Sequence, residues 1–348
     1  MIRLDTIKLT SPIDSVINAD SDKYSHLITE KGKGNDLVTD KSVAKGGDHF
    51  QKVGLNTIEL DHLNERVNIQ LSAKILGKHY HDLININTID KVVTEINNSG
   101  VLTLDKNKFI DNAGTHLLDI TANIPQYKDY DLSKSNKILR LASIGSGYAT
   151  RTPRSSSTVI FTKGANYSTI YDKPKELHRD KPFKAELGND FMNVVRDHYN
   201  EYRFEKKQKN YKQIRKAFDL TTTGTPMLMD ILNSNSQPLY KAFDDITFQT
   251  KQMDLFLNLF NNDMTYNEII EIKGIEQIVI ASGFDETMIQ TAIKMKTDDE
   301  GQSRATYYRR RDKALSVLQD MRVRELEGAR SAKEHEIISH IKQYLKVA

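Results

Sequence analysis

Tyr171 and Lys173 lie two apart in a segment that reads as a strand, so they project to one face. An ammonium beside a phenol makes an activated nucleophile. A free phenol has a pKa of about 10 and attacks poorly at neutral pH, but a neighbouring cation or a metal-held phosphate favours the phenolate. Phosphodiester cleavage also needs the charge on the transferring phosphate met by a divalent ion or by Arg and Lys. Hard cations take oxygen ligands. With no cysteine in the chain, a metal can sit only on carboxylates or histidines. Asp119 and Glu205, each on the polar side of an alternating segment, are the candidate ligands. Glu176 is a third, and it equally suits a charge in the first turn of a helix after Pro174.

Cations that can meet a nucleic acid occur in two clusters. The net charge is only +3, so affinity for phosphates must come from such local clustering. One run holds Arg203, Lys206, Lys207, Lys209, Lys212, Arg215 and Lys216, with Glu205 as the acid among them and Tyr211 interleaved. That pattern suits neutralisation of a phosphate backbone. The other is Arg309-Arg310-Arg311, on a helix that opens with Ser303 as N-cap and continues through Ala314, Leu315 and Leu318. A helix over Ile289–Met295 precedes it, so the two are expected as a helix-turn-helix-like unit.

The elements that position these residues follow from hydrophobic period. Val67–Lys74 alternates apolar and polar, as a half-buried strand does. In His116–Ile124, Leu118, Ile120, Ala122 and Ile124 face one way and Asp119, Thr121 and Asn123 the other, which is expected to be wet. Ser157–Phe161 and Ser168–Lys173 flank a Lys163–Asn166 turn as a hairpin, and Glu201–Lys207 puts Tyr202 and Phe204 opposite Arg203, Glu205 and Lys207. Helices are expected at Thr88–Asn97 and Tyr211–Phe218. The fold class is therefore α+β, an antiparallel sheet with one polar face, followed by a mainly helical C-terminal part. A boundary falls at Leu220–Pro226, giving domains 1–220 and 221–348. No signal core and no run of roughly 20 apolar residues is present, so no membrane partner and a cytoplasmic location are expected. His335–Leu345 is an amphipathic helix expected to serve a homodimer or another partner.

The stretch STVIFTKGANYSTIYDKPKEL (Ser157–Leu177) followed by EYRFEKKQKNYKQIRKAFDL (Glu201–Leu220) resembles the gene II replication proteins of filamentous phages and related plasmid initiators. HLLDITANI (His116–Ile124) and VNIQLSAKIL (Val67–Leu76) look like that family's earlier strands. The resemblance covers roughly residues 60–220. It implies a rolling-circle initiator acting on origin DNA, single-stranded or supercoiled, with host helicase and polymerase as partners. Tyr171 would be the nicking nucleophile, forming a 5′-phosphotyrosine and freeing a 3′-OH. Lys173 would hold the phosphate, and Asp119 and Glu205 would hold Mg2+ or Mn2+, with Glu176 a further ligand or a base. A conjugative relaxase or single-strand transposase would use the same chemistry, and a non-enzymatic DNA-binding regulator would use only the basic helices. His79-Tyr80-His81 spells the His-hydrophobe-His metal motif of many nickases. It follows Gly77-Lys78 in a segment running into a loop or helix, and is set aside on that ground.

Overall fold

A computed structural model describes residues 1–30, 37–45, 52–127, 139, 147–151, 158–164, 166–247, 266–328 and 332–347. The chain divides into two units that are discontinuous in sequence. The first comprises Met1–Ile124, Asp172–Leu239 and Leu345–Ala348, and the second Pro125–Tyr171 and Tyr240–Tyr344. The irregular stretch from Leu220 to Pro226 thus falls inside the first unit.

The first unit is built on seven strands in the order β3 (Ser25–Glu30), β4 (Leu37–Lys45), β5 (Leu55–Asp61), β6 (Arg66–Ser72), β1 (Leu4–Pro12), β8 (Gly114–Pro125) and β12 (Glu201–Gln208). Pairing from β3 through to β8 is antiparallel, with Ile7 opposite both Leu71 of β6 and Leu118 of β8. A small second sheet pairs β2 (Val16–Ala19) with β7 (Leu102–Leu104). Of these, β6, β8 and β12 form where the alternation predicts them. Leu118, Ile120, Ala122 and Ile124 are all buried, as are Val67, Ile69 and Leu71 of the neighbouring alternation. The helix expected at Thr88–Asn97 runs from Ile89 to Asn98 and buries Ile89, Val92, Val93 and Ile96, the one-face spacing of a 3.6-residue period. The mixture of helix with a large antiparallel sheet bears out the α+β class.

The opposite face of β8 departs from expectation. Thr121 and Asn123 are buried rather than wet. Arg203 links Asn123 to Ala73–Asp82, an irregular 3-10 segment kinked at Gly77, whose φ of 57° suits a residue without a Cβ. Tyr80 of this segment is buried and meets Arg203, which in turn holds Asn123.

In the second unit, β10 (Thr158–Lys163) and β11 (Asn166–Asp172) form the expected hairpin, with Thr158 opposite Tyr171, and β9 (Ala149–Arg151) adds to its other edge. Helices Tyr266–Ala281, Glu286–Asp299 and Arg304–Gly328 pack around Val279, Ile289, Ile293, Ala314 and Leu318. Ser303 accepts from the Thr306 backbone N–H at 3.3 Å, as an N-cap does. The last helix, Ala332–Val347, contains the amphipathic His335–Leu345 stretch.

Candidate functional site

Charged side chains converge on the polar face of the first unit. β11 ends at Asp172, and Lys173 opens a short helix, Lys173–Leu177. The strand alternation that placed Lys173 on Tyr171's face therefore stops one residue early. The cause is local: the Asp172 side chain accepts from the Lys175 backbone N–H at 3.1 Å, and Pro174 in the first turn presets helical φ. Lys173 is only 1% exposed. Its Nζ lies 2.5 Å from Glu176 Oε2 and 5.0 Å from the centre of the Tyr80 ring. Burial, and then the Arg203 guanidinium, lower its pKa.

Arg203 enters the same cluster from β12. It was expected on a DNA-facing surface and is instead 0% exposed. Its Nε donates to Asn123 Oδ1 at 2.9 Å, its Nη1 donates to the Tyr80 hydroxyl, and Nη1 sits 3.5 Å from Asp5 Oδ1. Its guanidinium also lies 4.9 Å from the Tyr80 ring centre. The Tyr80 hydroxyl in turn donates to Asp5 Oδ1 at 3.1 Å. Burial alone would raise the Asp5 carboxyl, but Lys173, Arg203 and Lys74 together hold it below its usual range. Two segments that are far apart in sequence, Lys173–Glu176 and the start of β12, thus meet on one tyrosine ring.

The candidate metal carboxylates fare differently from one another. Glu176 is fully engaged: Oε2 faces Lys173, and Oε1 accepts from Lys74 Nζ at 3.3 Å. Lys74 also binds Asp180 Oδ2 at 2.5 Å. Burial opposes ionisation of Glu176, and the Lys173 and Lys74 ammonium groups overcome it and lower its pKa. Each Glu176 oxygen thus lies beside an ammonium group. Asp119 fits as a metal ligand. Its Oδ1 is buried with no hydrogen-bond partner among the described residues, and its Oδ2 is 3.8 Å from Lys207 Nζ. Burial raises its pKa against the pull of Lys207. Glu205 is half-buried on β12, two residues beyond Arg203, and its charge acts on both Tyr80 and Lys173. Tyr171 is half-buried near the end of β11.

Of the cations expected to meet DNA, Lys206 is also a correction. It falls on the Tyr202 and Phe204 side of β12 and is 8% exposed. Lys209, Lys212 and Lys216 are exposed at and after the end of β12, on or beside the helix Tyr211–Ala217. Arg215 stacks on the Tyr211 ring and donates to the Thr222 carbonyl at 2.9 Å, tying down the irregular stretch that follows. In the second unit, Arg310 pairs with Glu300 at 2.6 Å and Arg311 with Asp312 at 2.5 Å, while Arg309 is exposed.

A second cluster was missed by the sequence analysis. His79 is exposed and pairs with Asp82 at 3.6 Å, but His81 turns the other way and places Nε2 3.2 Å from Glu201 Oε2. His198 Nδ1 lies 3.4 Å from the same oxygen, and the two imidazole centres are 4.8 Å apart. The third member of the His79-Tyr80-His81 triplet thus lies beside His198 and Glu201. His198 ends the helix Phe191–Asp197 and is followed by a tight turn through Asn200, whose φ of 60° is left-handed and tolerated by Asn. That turn brings Glu201 back, its N–H donating to the His198 carbonyl at 3.2 Å. Burial lowers the His198 pKa to about 4. Burial would raise the Glu201 carboxyl, but the facing His198 and His81 reverse this and hold it at about 2.

Comparison with protein-family models, with curated proteins and with solved structures finds no match. Among the described residues no helix is long and apolar enough to cross a membrane.

Proposed function

We propose that the chain is a rolling-circle replication initiator of the gene II type, a metal-dependent endonuclease that nicks one strand of origin DNA with Tyr171. The observation that carries this is the convergence of the two motifs read from sequence. Lys173 and Glu176 of the first meet Arg203 of the second around Tyr80, and Tyr171 precedes Lys173 by two residues along the chain. In the reaction, the Tyr171 phenolate oxygen attacks phosphorus. A Tyr–O–P bond forms, the P–O3′ bond breaks, and the departing oxygen takes up a proton to become the 3′-OH that primes synthesis. The proton lost from the phenol passes to solvent.

Each side chain has a distinct part. Lys173 would add positive charge to the site from beneath its surface, being itself buried, and Glu176 fixes the ammonium in place through its 2.5 Å contact. Arg203 and Tyr80 are positioning residues, because both are sealed from solvent. Asp119 and Glu205 would hold Mg2+ or Mn2+, which when bound offsets charge on the transferring phosphate. Lys209, Lys212 and Lys216 would neutralise backbone phosphates along the DNA, and the second unit's paired helices would contribute origin recognition. Host helicase and polymerase would then act on the nicked origin.

The test is incubation of the purified chain with supercoiled DNA carrying its origin and Mg2+ or Mn2+. Open circles with protein covalently attached to the 5′ end support the proposal. DNA binding without any nicking in either metal would favour a non-enzymatic regulator and defeat it.

A further inference from the structure

We propose that His81, His198 and Glu201 form a binding site for one transition-metal dication of the Zn2+ class. Two imidazoles and one carboxylate are a donor set that such ions favour, with a fourth position left for water or another ligand. The two separations from Glu201 suit it. Ligand atoms about 2.0–2.1 Å from a tetrahedral Zn2+ stand roughly 3.3–3.4 Å from each other. Here Glu201 Oε2 is 3.2 Å from His81 Nε2 and 3.4 Å from His198 Nδ1, and all three donor atoms lie within 4.8 Å of one another.

The burial of His198 is the independent observation. It is 0% exposed, its Nε2 has no hydrogen-bond partner among the described residues, and its Nδ1 meets the Glu201 carboxylate only at 3.4 Å. Burying a polar group without a partner costs free energy that proteins seldom leave uncompensated. A dication between Nδ1 and Glu201 Oε2 would replace that long contact with two coordination bonds, and Glu201 supplies the charge that a dication needs. The backbone already holds two ligands together through the Asn200 turn. Arg203, two residues along β12, is the facing cation that opposes binding, and its guanidinium is drawn off toward Asn123, Tyr80 and Asp5. Mg2+ prefers all-oxygen octahedra and is a poor match for two imidazoles. The site needs no step of the nicking reaction, so it stands or falls separately from Tyr171.

The experiment uses the full chain stripped of metal with EDTA, then titrated with Zn2+ against a chromogenic chelator in the absence of DNA. One Zn2+ per chain is expected, with the melting temperature raised by Zn2+ in the unaltered chain and raised less in His81→Ala. His81 is partly exposed, so His81→Ala leaves the fold intact by circular dichroism. It should weaken Zn2+ binding by roughly tenfold or more, as should Glu201→Gln, while His79→Ala binds as the unaltered chain does. The proposal is overturned if no Zn2+ is retained against the chelator, if Zn2+ raises the melting temperature of His81→Ala as much as that of the unaltered chain, or if His79→Ala loses as much affinity as His81→Ala.

Discussion

Replacing Arg203 with Met tests the sealed cluster most severely, because the side chain keeps its bulk and loses only its charge and donors. The native guanidinium makes a 2.9 Å bond to Asn123, a bond to the Tyr80 hydroxyl and a 3.5 Å ion contact to Asp5. Hydrogen bonds to charged groups contribute about 1.5–3 kcal/mol each, so two give roughly 3–6 kcal/mol. Breaking a buried pair by removing one partner costs about 3–5 kcal/mol by an independent route. Both figures count the same atoms and do not add. The expected loss is therefore about 3–5 kcal/mol, against a total of roughly 5–15 kcal/mol for a typical domain. Lys207→Met is the control. Its partly exposed 3.8 Å contact to Asp119 is worth only about 0–1 kcal/mol. Arg203→Lys should fall between, since an ammonium keeps the charge without the planar fork. Urea unfolding followed by circular dichroism measures all three. An Arg203→Met loss below about 1 kcal/mol, or no larger than that of Lys207→Met, would refute the sealed-cluster argument.

Three further outcomes are expected. Ile289→Ala, in the fully buried core of the second unit, should lower stability by about 2–5 kcal/mol, measured by thermal or urea unfolding. Replacing Lys209, Lys212 and Lys216 with Gln should weaken DNA binding and reduce the slope of log affinity against log salt by up to ~0.9 for each phosphate no longer neutralised. A slope unchanged in fluorescence titrations would remove this patch from the interface. Asp119→Asn and Glu205→Gln should each lower nicking, with partial recovery in excess Mn2+, because metal affinity falls while the attacking atom remains. Equal loss at all Mn2+ concentrations would deny them the metal role.

Much of the sheet was legible because a two-residue period survives in the letters: Leu118, Ile120, Ala122 and Ile124 announce β8, and Tyr202 and Phe204 announce the core side of β12. The same alternation misled on the other face. Arg203 and Asn123 were read as solvated because nothing in β8 or β12 tells what lies above them, and the segment Ala73–Asp82, which Arg203 meets, is kinked at Gly77 without a period of its own. The change of direction at Lys173 did have a local signal, Asp172 two residues before Pro174, which the strand alternation overrode. The pairing of His81 with Glu201 had none. The two are 120 positions apart, and only the turn at Asn200 and the bend after Tyr80 bring them together. The division at residue 220 followed composition, whereas the two units exchange chain near residues 124, 171, 239 and 344. That interleaving leaves no compositional mark.

The central claim is that Tyr171 carries the transferred strand. Supercoiled origin DNA, incubated with the Tyr171→Phe chain and Mg2+ or Mn2+, tests it most directly, with Tyr167→Phe run beside it. Tyr171→Phe is expected to bind the origin as before but to yield neither open circles nor protein-linked 5′ ends, while Tyr167→Phe yields both. Loss of one hydroxyl that merely packed would cost only about 1 kcal/mol of stability and leave nicking intact. Open circles and covalent adducts from Tyr171→Phe, especially if Tyr167→Phe lacks them, would contradict the assignment of the nucleophile.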